Sequence, residues 1–211
     1  LIFVVEIVAL FVVVMFAVAL TQAVRRVPIQ YAKQVVGNKV MGGQRQYLPL
    51  KLNTSGVMPI IFAQALMFIP SLVAGLFAEK SDFANSVATT FNDYTTWQYN
   101  ALFATLIIVF TFFYTAIAIS PQQISDDMKR GGGFIPGVKP GLATSDFIAT
   151  VLDRITLPGG ILLAVIAILP SLASMTGMTR EFAQFFGGTS LLILVGVVLD
   201  TLQQVESYLL M

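Results

Sequence analysis

The fold is decided by an uncharged run of 27 residues, LNTSGVMPIIFAQALMFIPSLVAGLFA, which extends from Leu52 to Ala78. A helix needs about 20 apolar residues to cross the hydrocarbon core of a bilayer, and this run is longer than that. It contains Pro59 and Pro70, which bend helices but are tolerated inside a membrane bundle. The run therefore predicts a membrane-spanning helix and not the core helix of a soluble domain.

The same pattern recurs along the chain, whose 211 residues are 56% hydrophobic and only 11% charged. Soluble domains usually carry about 25% charged residues, so the deficit is large. We predict five spans, at about residues 1–24, 56–78, 100–119, 153–174 and 184–209. The predicted fold class is therefore all-α, a polytopic transmembrane helix bundle.

The basic residues divide the connections between these spans into two kinds. Ten of the twelve Lys and Arg residues fall within residues 25–56 and 120–154. Because Lys and Arg near the ends of spans stay on the cytoplasmic side, we predict cytoplasmic loops at 25–55 and 120–152. The start of the chain is then expected outside and its end in the cytoplasm. Within the first loop, the stretch from Val40 to Leu52 is compatible with a β-hairpin.

The residue types that most catalytic sites use are missing, because the sequence contains neither Cys nor His. This excludes thiol catalysis, thiolate metal sites and Ser–His arrangements within the sequence. The turn at Thr54-Ser55-Gly56 is a poor match to a serine nucleophile, since no base lies near it in the sequence. We therefore expect no enzyme activity, no metal and no cofactor.

Polar residues in the second predicted span are the least ordinary local feature. Asn53, Thr54 and Gln64 place polar side chains in or beside a membrane segment, where they usually face the interior of a bundle. Two interpretations remain open from these residues alone, helix–helix packing or a movable helix that lines a wet path. The basic loops also allow two interpretations. They either set the membrane topology alone or form a docking surface for a partner.

Six motifs, in order along the chain, resemble the SecY family, the channel subunits of the protein-conducting translocon. They are RRVPIQYAK (25–33), LPLKLN (48–53), GVMPIIFA (56–63), FFYT (112–115), GFIPGVKPG (133–141) and FGGTSLLI (186–193). The resemblance covers essentially the whole chain but only the C-terminal half of the family, its helices six to ten. It implies one half of a SecY-type clamshell around a pore.

The resemblance also implies roles for particular residues. A ring of apolar side chains would narrow the pore, with Ile61 and Ile193 contributed by this half. The lateral gate would include Gln64, Asn53 and Thr54. The partner-binding cytoplasmic loops would present Arg25, Arg26, Lys33, Lys39, Arg45, Lys129, Arg130 and Lys139. Of these, Lys39 and Lys139 match the positions at which the family binds its partners.

The implied function is to pass unfolded secretory polypeptides across the plasma membrane and membrane segments laterally into it. The implied partners are the N-terminal half of the same channel, SecE, SecG, the SecA motor, the ribosome, signal-sequence-bearing polypeptides and membrane lipid. The implied location is the bacterial plasma (inner) membrane.

Two other classes of membrane protein fit parts of this sequence. Half of a secondary transporter would need charged or clustered polar groups at the midplane, and the apolar regions around Ile61 and Ile193 disfavour it. A purely structural membrane anchor would leave the long basic loops unexplained.

Overall fold

The computed structural model describes residues 2–31, 34–36, 39–41, 45–53, 55–77, 86, 89–91, 93, 95–175 and 189–209. Its long helices are α1 (Ile2–Gln22), α2 (Met58–Phe77), α3 (Trp97–Ala118), α4 (Pro121–Arg130), α5 (Leu142–Met175) and α6 (Thr189–Leu209). Its strands are β1 (Val24–Tyr31), β2 (Gln34–Val36), β3 (Lys39–Met41), β4 (Arg45–Lys51) and β5 (Gly133–Phe134).

The long helices pack around one apolar core, which we call the helix core. α3 lies against both α2 and α5, and α1 contacts α5 and α6. Ile60, Ile107 and Leu163 are fully buried there, one from each of α2, α3 and α5. On the α2 side, the ring of Phe62 lies 5.3 Å from that of Tyr114. Aromatic pairs at this distance stabilise the contact beyond the area that they bury.

Two features bring α3 and α5 together along their length. Gly160 leaves room for α3, since a Cβ atom there would lie 3.4 Å from the Cβ of Thr111. Nearer the other end, Asn100 Nδ2 donates a hydrogen bond of 2.7 Å to Ser171 Oγ. The two helices therefore approach closely at Gly160 and are joined by a side-chain hydrogen bond at Asn100.

Two of the five predicted spans are supported by helix length and composition. Within the described residues, the helical stretches Trp97–Arg130 and Leu142–Ser174 are long and apolar enough to cross a membrane. The stretches Leu10–Gln22 and Met58–Ala74 are apolar but shorter. Part of the predicted fifth span, 184–209, lies outside the described residues.

The chain is mostly helical, but the all-α prediction is wrong for the first basic loop, which forms strands. β1 and β4 pair in an antiparallel ladder that begins with Val24 opposite Lys51. β2 and β3 pair in a second ladder that ends with Val36 opposite Lys39. The two ladders keep the same register, because the pair Val36 and Lys39 lies 12 residues further along from the pair Val24 and Lys51 on both sides. A β-branched, alternating sequence favours this arrangement.

The hairpin predicted over Val40–Leu52 is also wrong in its pairing. β4 does not pair with β3, its neighbour in sequence, but with β1. Leu50 of β4 is buried together with Val27 and Ile29 of β1 in one hydrophobic cluster. Burial of this shared apolar face decides the pairing.

The predicted loop at 120–152 is largely helical. Pro121 opens α4 directly after Ser120, a position where the missing N–H of proline costs nothing. α5 begins at Leu142, well before the expected start of a span near residue 153. Because span prediction follows apolar runs, it misses the polar first turns of a helix that continues out of the membrane.

Candidate functional site: a joint basic platform and two helix faces

The two basic loops share one hydrophobic core, separate from the helix core. Val27, Ile29 and Leu50 of the strands are buried against the first half of α5. The cluster consists of Val27, Ile29, Leu50, Met128, Ile135, Ile148, Val151, Leu152 and Ile155. We call the unit built on it, which comprises β1, β4, β5, α4 and residues 131–152, the basic platform. Regions that are far apart in sequence therefore behave as one packed body.

A short sheet also joins the two loops through their backbones. β1 lies between β4 and β5, with Gln30 opposite Phe134 and Tyr31 opposite Gly133. Gly133 is buried, and a Cβ atom there would lie 3.2 Å from Cε1 of Tyr31. Only glycine therefore allows β5 to approach β1 this closely without displacing a neighbour.

Lys139 is exposed on a turn. Two buried hydroxyl groups donate hydrogen bonds to the backbone of this turn. Thr144 Oγ1 donates a hydrogen bond of 2.9 Å to the carbonyl oxygen of Lys139. Ser125 Oγ donates one of 2.8 Å to the carbonyl oxygen of Gly141. Gly137 and Gly141 have φ angles of 87° and 106°, which residues with side chains rarely adopt. The turn is thus rigidly placed, while its one cation is free to meet a partner.

Four of the other predicted cations lie on elements of the same platform. Arg25 and Arg26 are exposed in the first half of β1, just after α1 ends at Gln22. Lys129 and Arg130 are exposed in the last turn of α4, where positive charge suits the helix dipole. The same helix carries exposed Asp126 and Asp127, so this part of the platform has mixed charge.

Three predicted cations are only partly described or not described. Lys39 begins β3 and Arg45 begins β4, but their side chains lie outside the described part of the structure. Lys33 lies outside the described residues altogether. The register of β2 and β3 places Lys39 beside the end of its ladder, opposite Val36.

The two predicted pore residues lie outside the helix core. Ile61 on α2 is 41% exposed and Ile193 on α6 is 40% exposed, whereas Ile60 is fully buried. Gln64 is also exposed and follows Ile61 by one helical turn, so the two share a face of α2. In the described part of the chain, α2 and α6 do not pack extensively on each other. Both isoleucines are therefore exposed and can contact other groups, but the structure does not bring them together.

The predicted gate residues at the base of α2 have an unusual environment. Among the described residues, nothing hydrogen-bonds to the buried atoms Asn53 Oδ1 and Ser55 Oγ. Thr54, the third predicted gate residue, lies outside the described residues. Gly56 follows with a φ angle of 64°, where the chain turns into the helix. A buried polar atom without a hydrogen bond costs free energy, so these two atoms favour any arrangement that pairs them.

Sequence reasoning missed several residues that build this region. The sequence marks Ser55 only as a poor match to a nucleophile, and nothing in it signals that this side chain is buried. Gly159 brings α5 against the end of β4, because a Cβ atom there would lie 2.6 Å from the carbonyl oxygen of Leu52. Pro140-Gly141 signals a turn just before α5, but nothing in the sequence singles out Thr144 as the residue that bonds to this turn.

Comparison with known proteins identifies the family of this chain. The sequence profile of the SecY family matches residues 1–202. The chain belongs to the SecY family. It is 43% identical over 209 residues to the protein translocase subunit SecY of Mycobacterium bovis, covering 96% of this chain and 47% of that protein. It is 45% identical over 202 residues to SecY of Halalkalibacterium halodurans, covering 96% and 46%. The chain therefore spans about half the length of the curated SecY relatives that it matches.

Two solved structures share the fold. One, described as a protein-conducting channel, aligns with a TM-score of 0.63 at 14% identity, over 94% of this chain and 48% of that chain. The other, a study of the plug domain of SecY, aligns with a TM-score of 0.60 at 14% identity over the same shares. At this identity the likeness establishes the SecY-type helical fold. The SecY relatives do not favour the alternative of a transporter half.

Proposed function

We propose that this chain is one half of a protein-conducting channel. It passes unfolded secretory polypeptides across the plasma membrane and releases membrane segments laterally into the bilayer. The observation that carries this proposal is the SecY-family match over residues 1–202. The sequence carries no motif of a nucleotide-hydrolysing site, and the proposal assigns the energy for transport to a partner.

The topology that suits this function has five spans, with the chain start outside and the chain end cytoplasmic. Its support is the segregation of charge, since Lys and Arg concentrate in residues 25–56 and 120–154. The basic platform then lies on the cytoplasmic face of a bacterial inner membrane. This half is the C-terminal one, and it closes around the pore with an N-terminal half, together with SecE and SecG.

The basic platform is the docking surface for the SecA motor and the ribosome. Exposed cations suit both an acidic protein surface and the phosphates of ribosomal RNA. The supporting geometry is the turn at Lys139, whose backbone is held by Thr144 and Ser125 while its side chain is exposed. A preorganised turn loses little conformational entropy on binding, which favours its use as a contact point.

In the membrane, Ile61 and Ile193 contribute to the pore ring, and α2 is a wall of the lateral gate with Gln64, Asn53 and Thr54. Aliphatic side chains offer no hydrogen bonds to a passing chain and resist wetting when the pore is closed. Both isoleucines are substantially exposed, which a pore-facing position requires. Asn53 Oδ1 and Ser55 Oγ at the base of α2 have no hydrogen-bond partner within the described part of the chain, which suits a helix that changes its surroundings when the gate opens.

The test uses the full-length channel with Lys139→Glu, assayed for SecA-driven export of a secretory reporter into inverted membrane vesicles. We expect export to slow by at least about fivefold, because a charge reversal converts attraction into repulsion. Insertion and abundance of the channel remain normal. Lys139→Arg is the matched control, and it should retain export because the charge is kept. An unchanged rate of export in the Lys139→Glu channel would contradict the assignment of this turn as a docking contact.

A further inference from the structure

α3 and α5 leave a cleft at the end of their contact that faces the basic platform. Its volume is about 200 Å³. Apolar groups line most of it, with Phe112, Ala116 and Ile119 on one wall and Ala149 and Leu152 on the other. A cleft of this size and lining is suited to a hydrocarbon chain.

One charged group stands at this cleft, the exposed carboxylate of Asp153. The hydroxyl groups of the lining residues Thr115 and Thr156 donate to carbonyl oxygens in their own helices, Thr111 O and Leu152 O, each at 2.8 Å. Both hydroxyl protons are therefore already engaged in hydrogen bonds within the protein. Within the part of the chain that the structure describes, no cation lies within ion-pair distance of Asp153. The carboxylate is thus available to a cationic ligand.

The position of the cleft along the helices indicates where that ligand comes from. α3 ends at Ala118, and the predicted membrane boundary on α5 is near Asp153. Ile117 and Leu157, at the same level, are 66% and 50% exposed. In the proposed topology this level is the headgroup region of the cytoplasmic leaflet. A carboxylate beside an apolar cleft at this depth complements a lipid whose headgroup carries an ammonium.

We propose that this cleft binds an amine-headed phospholipid, such as phosphatidylethanolamine. The ammonium donates hydrogen bonds to Asp153, and part of an acyl chain lies between Phe112 and Leu152. A primary ammonium has three N–H donors, whereas the trimethylammonium of phosphatidylcholine has none, so the site prefers the former. The inference rests on the proposed function, because the topology of that channel places the cleft at headgroup depth.

The test uses the full-length channel complex reconstituted in vesicles of phosphatidylethanolamine and phosphatidylglycerol. A photoreactive phosphatidylethanolamine, with its reactive group on the acyl chain, is cross-linked and the labelled peptides are mapped by mass spectrometry. We expect label in residues 112–121 and 149–156, reduced at least about fivefold by Asp153→Asn, since a charge-assisted contact is lost. Asp146→Asn is the matched control, because it removes an exposed carboxylate two turns earlier on α5.

A second variant tests the cleft without changing charge. Ala116→Leu fills the cleft with a larger side chain and should also reduce the label. Equal labelling of wild-type and Asp153→Asn channels, or equal labelling by a photoreactive phosphatidylcholine, would overturn the proposal. So would efficient disulfide cross-linking of Ala149→Cys to a cysteine introduced into the other half of the channel, because the cleft would then be covered by protein.

Export assayed in the same vesicles separates the two proposals. If wild-type vesicles export the reporter but the label does not depend on Asp153, the lipid site is wrong and the channel function stands. If the wild-type complex does not export, the proposed function itself fails.

Discussion

At the scale of single residues, Gly159 decides how closely α5 approaches the end of β4. A Cβ atom there would lie 2.6 Å from the carbonyl oxygen of Leu52, and backbone cannot move aside as a flexible side chain can. We expect Gly159→Ala to destabilise the full-length channel by about 1–3 kcal/mol, the range for overpacked sites. The measurement is the midpoint of thermal unfolding of the purified complex.

Gly196→Ala is the control for this prediction. Among the described residues, nothing lies within 4 Å of a Cβ atom placed at Gly196 on α6. Alanine there should be neutral or stabilising, because it raises helix propensity by up to about 1 kcal/mol. Equal unfolding midpoints for the two variants would contradict the close approach at Gly159.

At the scale of elements, the short strand β5 joins the two basic loops into one sheet. Gln30 and Phe134 are paired across β1 and β5. Paired residues in an antiparallel sheet have Cα atoms about 4.5–5.5 Å apart, which suits a disulfide. Gln30→Cys with Phe134→Cys should therefore oxidise to a disulfide in the channel, detected by a mobility shift that reductant reverses. The chain has no other cysteine to compete.

The control pair is Gln30→Cys with Gly137→Cys, which moves the second cysteine from the strand to the following turn. We expect little oxidation of this pair. A disulfide that forms equally in both pairs would mean that β5 does not hold its register against β1.

The turn at Lys139 depends on the start of α5. Thr144→Val keeps the shape of the side chain but removes the 2.9 Å hydrogen bond from its hydroxyl to the Lys139 carbonyl. We expect faster hydrogen exchange of amides in residues 136–141 and slower SecA-driven export, because the turn becomes less preorganised. Thr150→Val is the control, since that exposed hydroxyl bonds only within its own helix. Unchanged exchange in Thr144→Val would count against this role.

The helices of this chain were largely predictable from sequence, whereas the strands and their pairing were not. Apolar runs predicted helices where α2, α3 and most of α5 lie, because hydrophobic length is a local property. The strand β1 and its pairing with β4 were not predicted, because the apolar face of β1 has only two buried residues, Val27 and Ile29, and β4 lies beyond two further strands. The early start of α5 at Leu142 was not predicted, because the first turns of this helix are polar and packed on the platform.

At the scale of the whole molecule, two packed bodies follow each other along α5. Its first half belongs to the core of the basic platform, which includes Ile148 and Ile155. Its second half belongs to the helix core, which includes Leu163 and Ile166. Force applied by a partner at the platform would therefore reach the membrane helices through a continuous helix. This arrangement suits the proposed function, in which a partner drives the channel from one side.

The proposed pore ring is tested on the complete channel in planar bilayers. Replacing Ile61 and Ile193 together by Ser should raise the ion conductance of the closed channel, because polar side chains let water into the constriction. Leu66→Ser with Leu194→Ser is the matched control, as both leucines are exposed on other faces of the same helices. A leak no greater than that of the control would count against the ring assignment.

By itself, the sequence determined that the chain forms apolar helices, that its basic residues concentrate in two connections, and that Cys and His chemistry is absent. These properties depend on composition and on the length of local apolar runs, and both are independent of contacts between distant segments. Only the tertiary structure decided that the two connections form one platform, since Gln30 meets Phe134 through contacts between distant segments. It likewise decided that Ile60 is buried while its neighbour Ile61 is exposed, because the packing of α3 against α2 selects which face of the helix is covered.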